Sequence, residues 1–335
     1  MLPLLAALAA ALLPAPALAN DSEAEWALGG LVLKQNDAIS MDREDLFISA
    51  AEVKVDYTYT NHSDADQKVL VSFPMPALPG GAFAEPGAYP DFTGLDFATT
   101  VDGKAVGWTR TQRAVAGGRD VTDALEAEGF PLQWYQDDGF IEKISSLPAN
   151  EGRRLERAGL LRRETDWGGN DLRPAWQVET SIVREQLFPA RATIHVSHRY
   201  TPATGGSVGG LIEHLGEKDH AAQAAAYRQR YCTDAAFFAG FRKRQKAEAA
   251  KGGGDWSPGY GETWIGYVLS SGANWRGPIG EFRLVVDKGL PENLVSFCMD
   301  GVTKLSPTQF EVRKLDYEPD RDLNILILQW SSDDT

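Results

Sequence analysis

Cysteine is almost absent: Cys232 and Cys298 are the only two in 335 residues. They show no CxxC spacing, which excludes a thiolate metal centre and a disulfide-dense scaffold. An isolated even pair in an oxidising compartment predicts one structural disulfide, two separate buried thiols being the alternative. Positive charge is also scarce. Against 47 Asp and Glu stand 33 Lys and Arg, a formal charge of −14. That balance repels phosphate backbones and anionic lipid alike and removes nucleic acid from the expected partners. Histidines number five, and the nearest two, His195 and His198, are three apart. On a strand that spacing sends them to opposite faces, so they are not expected to share a metal. His198 has the parity of Ile194, Val196 and Tyr200 and reads as a core histidine.

Long hydrophobic runs are missing beyond the N-terminus. There, "MLPLLAALAAALLPAPALAN" carries no charged residue and ends on the small-residue triplet Ala17, Leu18, Ala19. It predicts a signal peptide over residues 1–19, although the usual Lys or Arg near Met1 is lacking. Pro14 and Pro16 cut the apolar stretch below the length of a span, so no transmembrane segment is expected in the mature chain.

What is present is chiefly strand pattern. In "VKVDYTYTN", Val53, Val55, Tyr57 and Tyr59 alternate with Lys54, Asp56, Thr58 and Thr60, the period of a half-buried strand. After a polar turn, Val69, Val71 and Phe73 resume it, which predicts a hairpin ending at Pro74, where a ladder donor is lost. Turns are also expected at Asn36 with Asp37 and at Asp102 with Gly103. Short strands without alternating helices point to antiparallel, sandwich-like (immunoglobulin-like) domains with helical insertions. The expected division is 20–205, a β-sandwich with a helical insertion near 119–165, and 206–335, a helical segment over 218–251 plus a second β-sandwich. Thr233 and Asp234 are placed to cap the second helix of that segment.

Several stretches together resemble a family of secreted bacterial proteins, the domain of unknown function family 4424. They are "ANDSEAEWALGGLVL", "ISMDREDLFIS", "VDYTYTN" with "VSFPMP", "LFPARATIHVSHRYTP", the "YC" and "SFC" pair, and "NWRGPIGEFRLVV". The resemblance implies an exported β-rich fold with helical insertions and the Cys232 to Cys298 bridge. It implies no activity.

Motifs for chemistry are weak in context. "GGSVG" at 205–209 matches a nucleophile elbow, but Ser207 reads as part of a Thr, Pro and Gly loop in a β-rich chain, so no catalytic residue is expected. "DYEPDRDLN" alternates Asp316, Glu318, Asp320 and Asp322 but lacks the glycine and closing carboxylate of a calcium loop. Arg153, Arg154, Arg157, Arg162 and Arg163 form the densest basic cluster, expected to pair with Glu151, Glu156 and Glu164 on an exposed helix. Pro74 and Pro76 read as strand-exit prolines, with a proline-lined ligand groove as the functional alternative. Trp134 and Tyr135 beside Asp137 and Asp138 give a faint ligand-like signal. A stronger one is "GGGDWSPGYGETW", in which Trp256, Tyr260 and Trp264 with Asp255 and Glu262 can stack on sugar rings and bond their hydroxyls. The ligand-binding expectation is Trp256, Tyr260, Glu262 and Trp264. The whole predicts an exported (periplasmic or secreted, bacterial) non-catalytic binding or envelope module with no cofactor or metal, partnered by an envelope protein or glycan. The alternative is a glycan-active hydrolase using acidic residues beside the aromatics.

Overall fold

A computed structural model describes residues 21–27, 30–76, 96–164, 170–208, 212–215, 220–250 and 259–330. The expected leader, 1–19, lies outside them. Four sheets account for the strands. The six-stranded sheet runs in the order Gly30–Lys34 (β2), Ser22–Ala27 (β1), Gln67–Pro74 (β5), Gln177–Phe188 (β12), Thr109–Ala116 (β8) and Arg119–Asp120 (β9). The eight-stranded sheet runs Thr303–Lys304 (β18), Gln309–Tyr317 (β19), Ile279–Asp287 (β16), Ile39–Ile48 (β3), Val53–Asn61 (β4), Thr193–Tyr200 (β13), Ala98–Val101 (β6) and Lys104–Ala105 (β7). A four-stranded sheet is ordered Thr204–Val208 (β14), Tyr260–Tyr267 (β15), Leu323–Trp330 (β20) and Leu294–Phe297 (β17), and Leu161–Glu164 (β10) pairs with Asp171–Pro174 (β11). The α-helices are Thr122–Ala127 (α1), Phe140–Ser145 (α2), Ala149–Ala158 (α3), Ala221–Tyr231 (α4) and Ala235–Ala249 (α5).

The fold is mainly β, and every strand pair is antiparallel except β16 with β3. That parallel pair joins residues 281–286 to 43–48, so strands from both sides of the expected 205/206 boundary share one sheet and one core cluster. The terminal strands, expected to form a sheet of their own, are split: β15, β17 and β20 make the small sheet, while β16 and β19 extend the large one. An immunoglobulin-like order is not what this strand sequence displays.

The alternation in β4 is realised as expected: Val53, Val55, Tyr57 and Tyr59 are buried, while Lys54 and Asp56 are exposed. The hairpin is not. β4 pairs with β3 and β13, whereas β5 pairs with β1 and β12, so the chain crosses from one sheet to the other between them. Asn61 fixes the crossing. Its amide donates to the carbonyls of Ala65, Phe188 and Pro189 at 2.9–3.1 Å, satisfying backbone acceptors that leave the ladder there. The turn at Asp102 and Gly103 does make a hairpin, both residues having positive φ, 47° and 76°, as a tight two-residue connection requires. β5 ends at Pro74, and Pro76 then packs its ring over Gly266 of β15, where an added Cβ would meet it at 3.1 Å. The "FPMP" stretch therefore clamps the six-stranded sheet to the four-stranded one.

One core cluster collects Leu46, Val55, Val196 and Leu284 of the large sheet, Val71, Val178 and Ile182 of the six-stranded sheet, and Ile265, Ile325 and Ile327 of the small sheet. The helical insertion extends it with Trp134, Phe140 and Leu155, and Trp176, between β11 and β12, joins them. Trp134 and Tyr135, which gave a faint ligand-like signal in the sequence, are buried here, and Asp137 is spent on the backbone N–H of Gly139.

Inside this apolar core lies a charged knot. Asp21, fully buried, accepts from the Arg184 guanidinium at 2.9 Å, and its Oδ1 lies 3.2 Å from His198 Nε2. His198 Nδ1 in turn lies 2.9 Å from the Thr99 hydroxyl. With Nε2–H donating to Asp21 and Nδ1 accepting from Thr99, a neutral imidazole satisfies both partners. Burial lowers the His198 pKa from 6.5, with Asp21 opposing. Burial alone would raise the Asp21 carboxyl, but Arg184 and His198 outweigh it and hold the group well below the usual carboxylate range.

Both shifts have the same consequence for stability. Below about pH 6.5 the unfolded chain protonates His198 while the folded chain resists, so the unfolded state binds more protons and folding weakens as pH falls. The Asp21 contribution is present above its unfolded pKa and is lost as pH falls through the lower folded one. The unfolding midpoint is expected to drop between about pH 7 and pH 5.5, and calorimetry on His198→Gln should show that portion of the curve flattened. A midpoint independent of pH over the same window would contradict the neutral buried imidazole.

Candidate functional site

The four-stranded sheet is covered on one face by α4 and α5. Asp234 caps α5, its carboxylate accepting from the Phe237 N–H at 2.7 Å, and α4 stops at Cys232, whose φ of 53° is left-handed. Phe237 and Phe241 of α5 and Tyr231 of α4 form a second apolar cluster with Tyr260, Leu326, Leu328 and Trp330. The disulfide Cys232–Cys298, with Cα atoms 5.0 Å apart, ties the end of α4 to the chain just after β17. Ser296 adds a hydroxyl bond to the Tyr231 carbonyl at 2.8 Å.

Of the four expected ligand residues, Trp256 lies outside the described residues. The other three are not on a loop. Tyr260, Glu262 and Trp264 are alternate residues of β15 and point to its helix-covered face, where period two places them together. Tyr260 is buried against Phe241 and Trp330, with ring centroids 5.1 and 6.0 Å away. Glu262 is 3% exposed. Its Oε2 accepts two bonds, from the Trp264 indole N–H at 2.8 Å and from the Tyr227 hydroxyl of α4 at 2.7 Å. Burial, followed by the neighbouring Glu262 carboxylate, pushes the Tyr227 phenol well above its ordinary value, which keeps it a donor. Trp264 itself is half-buried, and its ring lies over Gly205 of the edge strand β14, where an added Cβ would stand 3.0 Å from Cε3. Gly205 and the Glu262 carboxylate thus fix the indole plane from below and from its edge.

Tyr227 is the site residue that the sequence does not reveal: it sits 35 positions before Glu262, on another element. The strand itself had a signal, since Tyr260, Glu262 and Trp264 recur at period two.

Ser207 also stands differently from the expected loop. It lies within β14, directly opposite Glu262 in the ladder, in a strand interior and not at the strand-to-helix turn an elbow needs. His195 and His198 do face opposite sides, His195 meeting Thr58 on the outer face of the large sheet. Among the described residues no three His, Cys, Asp or Glu side chains are grouped to hold a metal ion, and no helix is long and apolar enough to cross a membrane. Asp322, from the acidic stretch, accepts from the Ser270 hydroxyl at 2.6 Å. In the arginine-rich stretch, Arg154 bonds Glu151 and Glu128, Arg163 pairs with Glu156 and Arg162 with Glu164. The expected pairing with glutamates is met by these three, but the expected helix ends at Ala158, and Arg162 and Arg163 stand on β10.

No curated protein matches the chain. A solved structure of a candidate nutrient-binding protein from Legionella pneumophila is similar at a TM-score of 0.41 and 15% identity, over 88% of this chain and 68% of the other. The family model described as "Domain of unknown function (DUF4424)" matches residues 19–326, nearly the whole chain, and the chain belongs to that family.

Proposed function

We propose that the protein is an exported, non-catalytic binding module of the bacterial envelope that holds a glycan against the four-stranded sheet. Trp264 is its stacking surface, and Trp256, eight residues earlier in the chain, is a second one. The observation that carries this reading is the fixed indole of Trp264, held at its edge by Glu262 and from below by Gly205. Stacking on a sugar ring gains most from an aromatic plane that loses no freedom on binding. Glu262 is a positioning residue in this scheme, since its Oε2 is engaged by two donors. Export is supported by the leader-like N-terminus and by a disulfide that persists only in an oxidising compartment.

The test is a panel of cell-wall polysaccharides and ester substrates incubated with wild type, with Trp256→Ala plus Trp264→Ala, and with Glu262→Gln. Binding without turnover is expected. Each lost ring should weaken binding about ten-fold, as ~1.4 kcal/mol of stacking implies. Glu262→Gln should reduce affinity without abolishing it. Turnover by wild type that is lost in Glu262→Gln or Ser207→Ala, yet survives loss of the aromatics, would replace this reading with the glycan-active hydrolase.

A further inference from the structure

We propose that the outward face of α5 is a docking surface for anionic phospholipid headgroups, with Arg242, Lys243 and Lys246 as its contacts. Phe237 and Phe241 turn one side of α5 onto the four-stranded sheet, and Arg242, Lys243 and Lys246 are exposed at the one-turn spacing that gathers them on the other side. Arg244 is engaged by Glu248 at 2.5 Å. For the three outward cations, no carboxylate among the described residues lies within ion-pair distance.

Between Ala221 and Ala249 there are six Arg and Lys against two acidic residues, Asp234 and Glu248, a net +4 in a chain whose total is −14. The helical layer is thus opposite in sign to the rest of the molecule. The denser basic cluster of the sequence, on and after α3, is by contrast interleaved with Glu128, Glu151, Glu156 and Glu164, which pair with Arg154, Arg162 and Arg163.

The composition of the face selects the occupant. The other exposed residues on α5 include Ala235, Ala236, Ala239 and Ala247, so the cations stand clear of their neighbours, and no large apolar residue of the helix is exposed to anchor a protein partner, Phe238 being half-buried against the small cluster. A lipid surface needs no such anchor, because each Lys or Arg near it contributes about 1 kcal/mol through charge alone. The overall negative charge does not forbid this: repulsion from distant carboxylates is screened beyond about 8 Å at physiological salt, while the stripe acts inside that distance.

The test is co-sedimentation of the full mature chain with vesicles of phosphatidylcholine alone or with added phosphatidylglycerol. Wild type should bind only the latter and be released as salt is raised. Lys243→Gln with Lys246→Gln should lower partitioning about thirty-fold, two contributions of about 1 kcal/mol. Arg153→Gln with Arg157→Gln, which removes the same charge from the exposed face of α3, should stay near wild type. No preference for phosphatidylglycerol, binding indifferent to salt, or equal loss in both double variants would overturn the proposal. So would capture of the α5 face by an acidic protein with no binding to vesicles.

Discussion

Replacing Asp21 by Ala should cost about 3–5 kcal/mol of folding stability, the usual penalty for removing one partner of a buried ion pair. Arg184 and Asp21 have side-chain exposures of only 2% and 1%, so neither charge can turn to water when the other is lost. Asp21 also offers a carboxylate oxygen to His198, and its backbone carbonyl accepts from the Trp275 indole, so the residue joins the six-stranded sheet, the eight-stranded sheet and the segment before β16. Arg184 Nε already lacks a hydrogen-bond partner among the described residues. Taking away the carboxylate would leave the whole guanidinium unsatisfied. The double variant Asp21→Leu with Arg184→Met should be much less destabilised than the two single changes summed, because paired charges are replaced by apolar bulk. Guanidinium chloride unfolding of the three variants checks this. A single-variant loss below about 1 kcal/mol would mean that the knot is open to solvent.

Removing the disulfide by Cys232→Ser with Cys298→Ser should cost about 4 kcal/mol on the loop-closure model, given the 66-residue separation. The loss should be uneven. The helical layer rests on its own small cluster, apart from the main core, so freeing the end of α4 lets α4 and α5 open without unfolding the sheets. Hydrogen exchange should show faster exchange over 221–249 and near-unchanged protection in β4 and β13. Thiol titration of the denatured, unreduced wild type should find no free thiol. Two titratable thiols, or uniform loss of protection, would contradict the proposed fastening.

The sequence carried those features whose cause is local. Val53 to Thr60 declares its buried face by period two, Asp102 with Gly103 declares a tight turn, and Asp234 declares a cap, because each depends on residues a few positions away. The pairing of β4 is not legible in the sequence for the opposite reason. Successive strands are usually neighbours, and nothing in "NHSDADQ" shows that the Asn61 amide bonds carbonyls 127 and 128 residues distant. The same distance hides the Asp21, Arg184 and His198 knot, whose members are separated by 163 and 177 residues and individually look like surface charges and a core histidine. At the candidate site the residue types were legible in Tyr260, Glu262 and Trp264. Their conformation was obscured by the glycines ahead of them, which suggested a loop where a strand begins at Tyr260. The partner that completes the site, Tyr227, comes from a helix that no spacing rule connects to β15.

The central claim is that a glycan stacks on the fixed indole of Trp264, and the most direct measurement is NMR of 15N-labelled tryptophan indoles during titration with envelope glycans. The cross-peak assigned by its absence in Trp264→Phe should move in a saturable way, while that of Trp275, buried in the main core, stays fixed. Saturable binding that shifts other indoles and leaves Trp264 unmoved would place the ligand elsewhere and contradict the account.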